Sequence, residues 1–340
     1  MNIDAKTLGV AHEALNRAVN LHLRDPNVSL VDLGWRIRDS QGGRVDVGDL
    51  RVRVHVRQKY SDAAANLETF GSQRLVSERA IGFPVDVPRA NYRSQNWLWF
   101  PPSVPTPGPV FSDARTGTHS PMQGGISIAG AYSPSYGTLG GKVIDRQTRA
   151  EMLLSNWHVL VASWAAAPGA AVYQPSRGDP SKIVARLTRD GLGQYVDAAV
   201  ATLTSSRRLE NNQLGLGPVT GSGRAELGMA VIKSGVRTGI TSGMISGTNG
   251  RQLMNYGGYE QVIRGVVHIV PPSGNENQTV SEGGDSGSWW LEQNSRKAVG
   301  LHFAGDTDPD REYALAINMP LVLETLGVDR SEERRVGKEC

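Results

Sequence analysis

The hydrophobic pattern changes character twice along the chain. Over residues 4–24, Leu8, Ala11, Leu15, Ala18, Val19 and Leu23 recur near a 3.6-residue period, which predicts an amphipathic helix with His12 and His22 at the edges of its stripe. The period then shortens to two. Residues 28–35 and 50–56 predict strands on either side of the turn-rich Asp39-Ser40-Gln41-Gly42-Gly43. In the second, Val52, Val54 and Val56 share one face while Arg51, Arg53, His55 and Arg57 share the other. That alternation predicts a half-buried strand with a solvated basic side. An anionic partner such as nucleic acid is the alternative, disfavoured because no aromatic platform is interleaved with the arginines. A strand at 83–87 would complete a small α+β module over residues 1–93.

Periodicity then stops. Residues 94–122 are rich in Pro, Ser, Thr and Gly, with Pro101-Pro102-Ser103-Val104-Pro105-Thr106-Pro107-Gly108-Pro109 at their centre. Such a stretch builds no core and favours extended conformations, so it predicts a linker or surface strap, with Trp97, Trp99 and Phe100 docking its start on a neighbouring domain. After Gly124-Gly125-Ile126 the pattern becomes short apolar strands between turns. Segments 137–143, 150–154, 171–173 and 198–201 predict one group of strands, and 229–232, 242–245, 262–269, 288–290 and 299–303 a second. A short closing helix is predicted at 320–326. Many short strands at this spacing predict a mainly β domain over residues 123–328, an antiparallel sandwich or barrel.

Composition narrows this picture. Forty glycines and 18 prolines in 340 residues suit a loop-rich β protein. No apolar run approaches the roughly 20 residues that a membrane helix needs. The start, with an acid at Asp4 and no apolar core, carries no secretory signal, and the lone Cys340 allows no internal disulfide; both favour a cytoplasmic setting, with non-classical export left open. Residues 330–340 resemble the translation of a sequencing adaptor and are set aside as an artefactual tail. Without their four basic and three acidic residues, 32 basic groups face 30 acidic ones, which gives no pull toward an acidic partner. No cluster of Cys, His and carboxylates has metal-ligand spacing and no loop is built to cradle phosphate, so neither metal nor cofactor is expected.

Three segments carry chemistry. Leu154-Ser155-Asn156-Trp157-His158 presents a histidine after an apolar strand, and Tyr195-Val196-Asp197-Ala198-Ala199 places an acid at the mouth of another. Glu282-Gly283-Gly284-Asp285-Ser286-Gly287-Ser288 sets a serine in a glycine-rich turn where backbone amides can converge. A serine hydroxyl is a poor nucleophile at neutral pH; a histidine can take and return its proton, and an acid can fix the imidazole tautomer.

In this order the segments resemble the trypsin-like serine peptidases of chymotrypsin fold, bacterial type, across residues 123–328. The resemblance implies two antiparallel six-stranded β-barrels preceded by the α+β module, and a serine endopeptidase that hydrolyses polypeptides through an acyl-enzyme. It implies His158 as general base, Asp197 as orienting acid and Ser286 as nucleophile, with the N–H groups of Gly284 and Ser286 as oxyanion hole. It also places Val280 at the base of the substrate pocket, where an apolar side chain argues against binding Arg or Lys. His302 stands where glutamyl endopeptidases and viral 3C-like proteases carry a histidine that contacts a P1 Glu or Gln, so it either reads an acidic or amide side chain or simply packs in its strand. Trp157, where animal enzymes have a small residue, is expected to pack. Asp285 is the structural acid. Its partner would be a new N-terminus cut near Gly124-Gly125-Ile126, unless the N-terminal part stays attached and recruits a substrate or partner. A catalytically silent fold of this kind, used as a protein- or nucleic-acid-binding module, is the competing expectation.

Overall fold

The computed structural model describes residues 3–38, 44–62, 67–69, 76–94, 113–204, 206–275, 278–306 and 312–330. Trp97, Trp99 and Phe100, with the proline-rich centre of the linker, lie outside the described residues.

The first helix runs Ala5–His22 and begins at a cap: the Thr7 N–H donates to the Asp4 carboxylate at 2.9 Å, which satisfies one donor left open by the first turn. Its Ala11, Ala14, Leu15 and Ala18 are buried with Val31, Leu33, Val52 and Val54 of the strands Val28–Arg38 and Arg44–Val56. The valine face expected from the alternation is thus the face under the helix.

The opposite face departs from expectation. Arg57 is exposed, but Arg53 and His55 are fully buried rather than solvated. Asp32 on the neighbouring strand accepts from Arg53 Nε at 2.7 Å, and Tyr92 closes over His55 with its hydroxyl 2.9 Å from Nδ1. Alternation shows that a strand has two faces; it does not show that a second polar layer covers the other one.

The second half of the chain closes a ring of six antiparallel strands: Ala230–Gly235, Trp289–Glu292, Lys297–Asp306, Ala314–Asn318, Tyr259–Val270 and Gly239–Tyr256, the last pairing back to the first. Val231, Ile245, Ile269, Trp290, Val299 and Ala316 fill it. The first half is an eight-stranded antiparallel sheet in the order Val328–Arg330, Gly141–Asp145, Glu151–Ser155, Ala199–Leu203, Ile183–Asp190, Ala171–Tyr173, Ser127–Gly130, Gly137–Thr138. The chain is mainly β, as its short apolar runs predicted. The helix Met319–Leu326 packs against the last strands.

Two features of the sheets were not anticipated. The N-terminal strand Val28–Arg38 pairs with Gly239–Tyr256, Val31 opposite Arg251 and Gly34 opposite Gly247, so the second ring's sheet continues across the composition boundary at residue 93. Arg330, set aside with the tail, belongs to the fold: it is buried, pairs opposite Val143 and donates through Nη2 to the Val219 carbonyl at 2.6 Å.

Candidate active site

The strand Glu151–Ser155 ends at Asn156, and a single helical turn, Trp157–Leu160, carries His158 away from the sheet. Register then supplies its neighbour. Ser155 pairs with Ala199, so Asp197, two residues earlier, falls beside that turn, where Asn156 Nδ2 donates to its backbone carbonyl at 2.8 Å. His158 Nδ1 lies 2.6 Å from Asp197 Oδ2, and the His158 backbone N–H donates to Oδ1 at 3.2 Å. Tyr256 OH also donates to Oδ2, at 2.8 Å. Asp197 is wholly buried; a bare carboxylate there would be costly, and these three donors offset the lost water. With Nδ1–H turned to the carboxylate, the network assigns Nε2 as the acceptor of the ring.

Tyr256 was missed by the sequence reading. It sits at the tip of the long hairpin from the second ring, where Tyr256-Gly257-Gly258-Tyr259 signals a turn and nothing more, and it meets an acid 59 residues away. Burial and the charge of Asp197 raise its phenol well above the usual value, which keeps it a neutral donor. Trp157 packs as expected, edge-on to Tyr256 with ring centroids 5.6 Å apart.

Ser286 stands in the turn 282–288, shaped by Gly284 at φ 111° and Gly287 at φ 98°. A side chain on Gly287 would also strike Ser155 Oγ and the Thr138 carbonyl, so glycine is required twice over. Thr138 ties the turn to the first sheet: its N–H donates to the Ser286 carbonyl at 2.7 Å and its hydroxyl to the Gly284 carbonyl at 2.8 Å. Gly137 is packed between Val159 and the Ser286 carbonyl. The strip Gly137–Thr138 therefore sets the turn of His158 against the turn of Ser286. Ser286 is buried, and its Oγ makes no hydrogen bond among the described residues.

Asp285 points inward, away from this chemistry. Lys233 Nζ at 2.7 Å and Thr238 Oγ1 at 2.6 Å donate to Oδ2; the backbone N–H groups of Arg237 and Thr238 donate to Oδ1 at 2.9 and 3.1 Å. Burial opposes the charge, yet the Lys233 ammonium and these bonds outweigh it and hold the carboxyl down at about 2. The structural acid is thus satisfied from within the chain. The segment offered as a cleaved start is tied to the first sheet, the Gly125 N–H donating to the Leu139 carbonyl at 2.8 Å.

The strand carrying His302 is zipped to the turn of Ser286, Gly287 N–H to the His302 carbonyl and His302 N–H to the Ser288 carbonyl, both at 2.9 Å. The His302 ring is buried edge-on to Trp290. Burial first, and the charge of Lys233 second, push its imidazole down to about 3, so it is neutral at pH 7. Val280 packs with Trp290, Val299 and Ala314, its carbonyl accepting from Thr241 Oγ1 at 2.8 Å. Among the described residues no group of three or more His, Cys, Asp or Glu is placed to hold a metal ion, and no helix is long and apolar enough to cross a membrane.

No protein-family model matches the chain, and no curated protein sequence does. Solved structures do resemble it. Thermobifida fusca protease A is 20% identical over 62% of this chain and 98% of that one, with a TM-score of 0.47. Nocardiopsis protease is 18% identical over 62% of this chain and 100% of its own, also at 0.47. A glutamic-acid-specific serine protease, described as using a histidine triad in substrate binding, is 20% identical over 62% and 100%, again at 0.47. The chain is similar to these proteases over nearly the whole of each of them and under two thirds of itself.

Proposed function

We propose that the chain is a serine endopeptidase with His158 as general base, Asp197 as orienting acid and Ser286 as nucleophile. The observation that supports this most directly is the 2.6 Å contact between His158 Nδ1 and Asp197 Oδ2, in a turn packed across Gly137 from Ser286. Ser286 Oγ has no competing partner among the described residues, so its proton is available to Nε2 once a substrate tightens the site. Oγ attacks the peptide carbonyl as Nε2 takes its proton, and the N–H groups of Gly284 and Ser286 receive the oxyanion. The imidazolium returns that proton to the leaving amine and the acyl-enzyme remains. Water then repeats the sequence, activated by the same base, and releases the acid.

Asp197 does not itself change protonation; it holds the tautomer and stabilises the imidazolium. A fluorophosphonate probe tests the assignment, because it needs an activated serine and little else. Wild-type protein should be labelled, and Ser286→Ala should lose labelling together with ~10⁴-fold or more of peptide turnover. Unlabelled wild type would instead leave a silent scaffold that binds without cutting.

For specificity, His302 and Val280 line the P1 pocket in this proposal. A neutral buried imidazole can donate to a carboxylate or amide oxygen, which favours Glu or Gln, and an apolar Val280 offers no counter-charge to Arg or Lys. Cleavage of a peptide library should show that preference and lose it in His302→Ala. A preference for large apolar P1 residues, unchanged in the variant, would reduce His302 to packing.

A further inference from the structure

The strand Lys297–Asp306 has two different kinds of edge along its length. At Gly300 and Leu301 it is paired on both sides, with Trp289–Glu292 and Ala314–Asn318. Past His302 the neighbour on the nucleophile side ends, its last bonds joining His302 to Gly287 and Ser288. The edge thus vacated at Ala304, Gly305 and Asp306 is filled by the chain itself: Tyr92–Ser94 pairs there antiparallel, Ser94 opposite Ala304, Arg93 opposite Gly305 and Tyr92 opposite Asp306.

The direction of that pairing matters. The short strand runs from Asp306 toward His302, so its carboxyl end faces the turn that carries Ser286. Each further residue would advance it by ~3.3 Å along the same edge, toward the positions opposite Phe303 and His302. An extended polypeptide brought to Ser286 by adding to this sheet would use the same edge in the same direction, with backbone hydrogen bonds supplying much of the affinity.

The occupant is also anchored. Tyr92 is buried, and its hydroxyl bridges His55 Nδ1 at 2.9 Å and His268 Nε2 at 2.8 Å. His268 in turn is 2.6 Å from Ser246 Oγ through Nδ1. Immediately upstream, the Asn91 N–H donates to Asp306 Oδ1 at 3.2 Å and the Ala90 N–H to the Val56 carbonyl at 2.8 Å. The N-terminal strands therefore deliver this segment to the edge and hold it there.

We infer that Tyr92–Ser94 is a built-in occupant of the strand edge by which an extended polypeptide reaches Ser286, so that such a substrate binds only when this strand leaves the edge. The inference rests on the proposed peptidase function and adds an autoinhibitory contact to it. Small reagents that need no strand edge escape the block.

The test compares two active-site reagents on the full chain, a small fluorophosphonate and a tripeptidyl phosphonate. In an antiparallel pair alternate residues turn their N–H to the partner, so the double variant Arg93→Pro/Ser94→Pro removes whichever of the two donates. It should accelerate labelling by the tripeptidyl reagent at least about tenfold, the effect of about one strand bond, while small-reagent labelling stays within about twofold. No acceleration, or equal acceleration of both, overturns the inference. Should the variant fold poorly, hydrogen exchange on wild-type protein decides: the protected amide of Arg93 or Ser94 should lose protection when the tripeptidyl reagent sits on Ser286 and keep it with the small one. Protection retained in both adducts overturns it too. Wild type that neither reagent labels sinks the peptidase proposal and this inference with it, an outcome distinct from the other two.

Discussion

Asp197 shows how much of a proposed catalytic acid's setting is fixed by groups outside the three residues of the proposal. It is completely buried, and besides His158 it depends on Tyr256, whose hydroxyl reaches it from the second ring at 2.8 Å. Removing that hydroxyl leaves the carboxylate one donor short and the imidazole less firmly held, while the apolar ring stays in place against Trp157. Tyr256→Phe should therefore lower kcat by about tenfold, the equivalent of ~1.4 kcal/mol in the barrier, and leave KM within about twofold. Steady-state kinetics on a peptide substrate measure this split. An unchanged kcat would show that the hydroxyl serves folding alone. The meeting of His158 with Asp197, in a turn packed against that of Ser286, was legible because each lies in a local motif and the three follow one another in a meaningful order. Tyr256 was not, because a tyrosine beside two glycines signals only a hairpin tip, and what that tip touches is decided by how two sheets pack.

The turn of Ser286 depends in the same way on the strand Ala230–Gly235. Lys233 is wholly buried, and its ammonium is held there by Asp285 and by the Thr238 hydroxyl, while Asp285 is held by Lys233, Thr238 and three backbone amides. Lys233→Met keeps the length of the side chain and removes its charge, which strands a buried carboxylate beside Ser286. That should cost roughly 3–5 kcal/mol in urea denaturation, and Lys233→Met/Asp285→Asn should recover part of the loss, because no unpaired charge then remains. A single-variant cost below about 1 kcal/mol would mean that the amides and Thr238 suffice. The Asp285 carboxyl sits at about 2, below its ordinary value, so its contribution is complete above pH 3.8 and is lost only as pH falls toward 2. The sequence carried a trace of this pair. Val231 and Lys233 share a strand face, and Val231 is core, so the alternation already pointed the lysine inward. The same rule misled for Arg53 and His55, where it gave the correct face and said nothing of what covers it. Alternation sorts a strand's residues into two sets; burial of the second set depends on strands supplied by the rest of the chain.

At the scale of the molecule those coverings form a polar layer inside the protein, joining the N-terminal strands to the second ring. Asp32, Arg53, His55, Tyr92 and His268 are buried in one network, with Asp32 held well below the ordinary carboxylate range by Arg53 and His55 against the cost of burial. Burial lowers the imidazoles of both His55 and His268, and the Arg53 guanidinium lowers them further. His302, in the ring beside the turn of Ser286, is pushed down to about 3. His302 is neutral when folded and free to protonate near 6.5 when unfolded, so acidification feeds protons preferentially to the unfolded chain; the lowered imidazoles of His55 and His268 act in the same direction, His55 against the opposing pull of Asp32. Their joint contribution is intact above about pH 6.5 and declines below it, whereas Asp32 and Asp285 begin to matter only below 3.8. Between pH 7.5 and 5, His302 alone should remove about 2 kcal/mol of stability, and His55 and His268 add to that slope. Urea unfolding at steps across this range should show the midpoint falling continuously from about pH 6.5 downward. A midpoint that stays level to pH 5 would show that the buried imidazoles accept protons within the fold, with Asp32 beside His55 outweighing burial and the Arg53 charge.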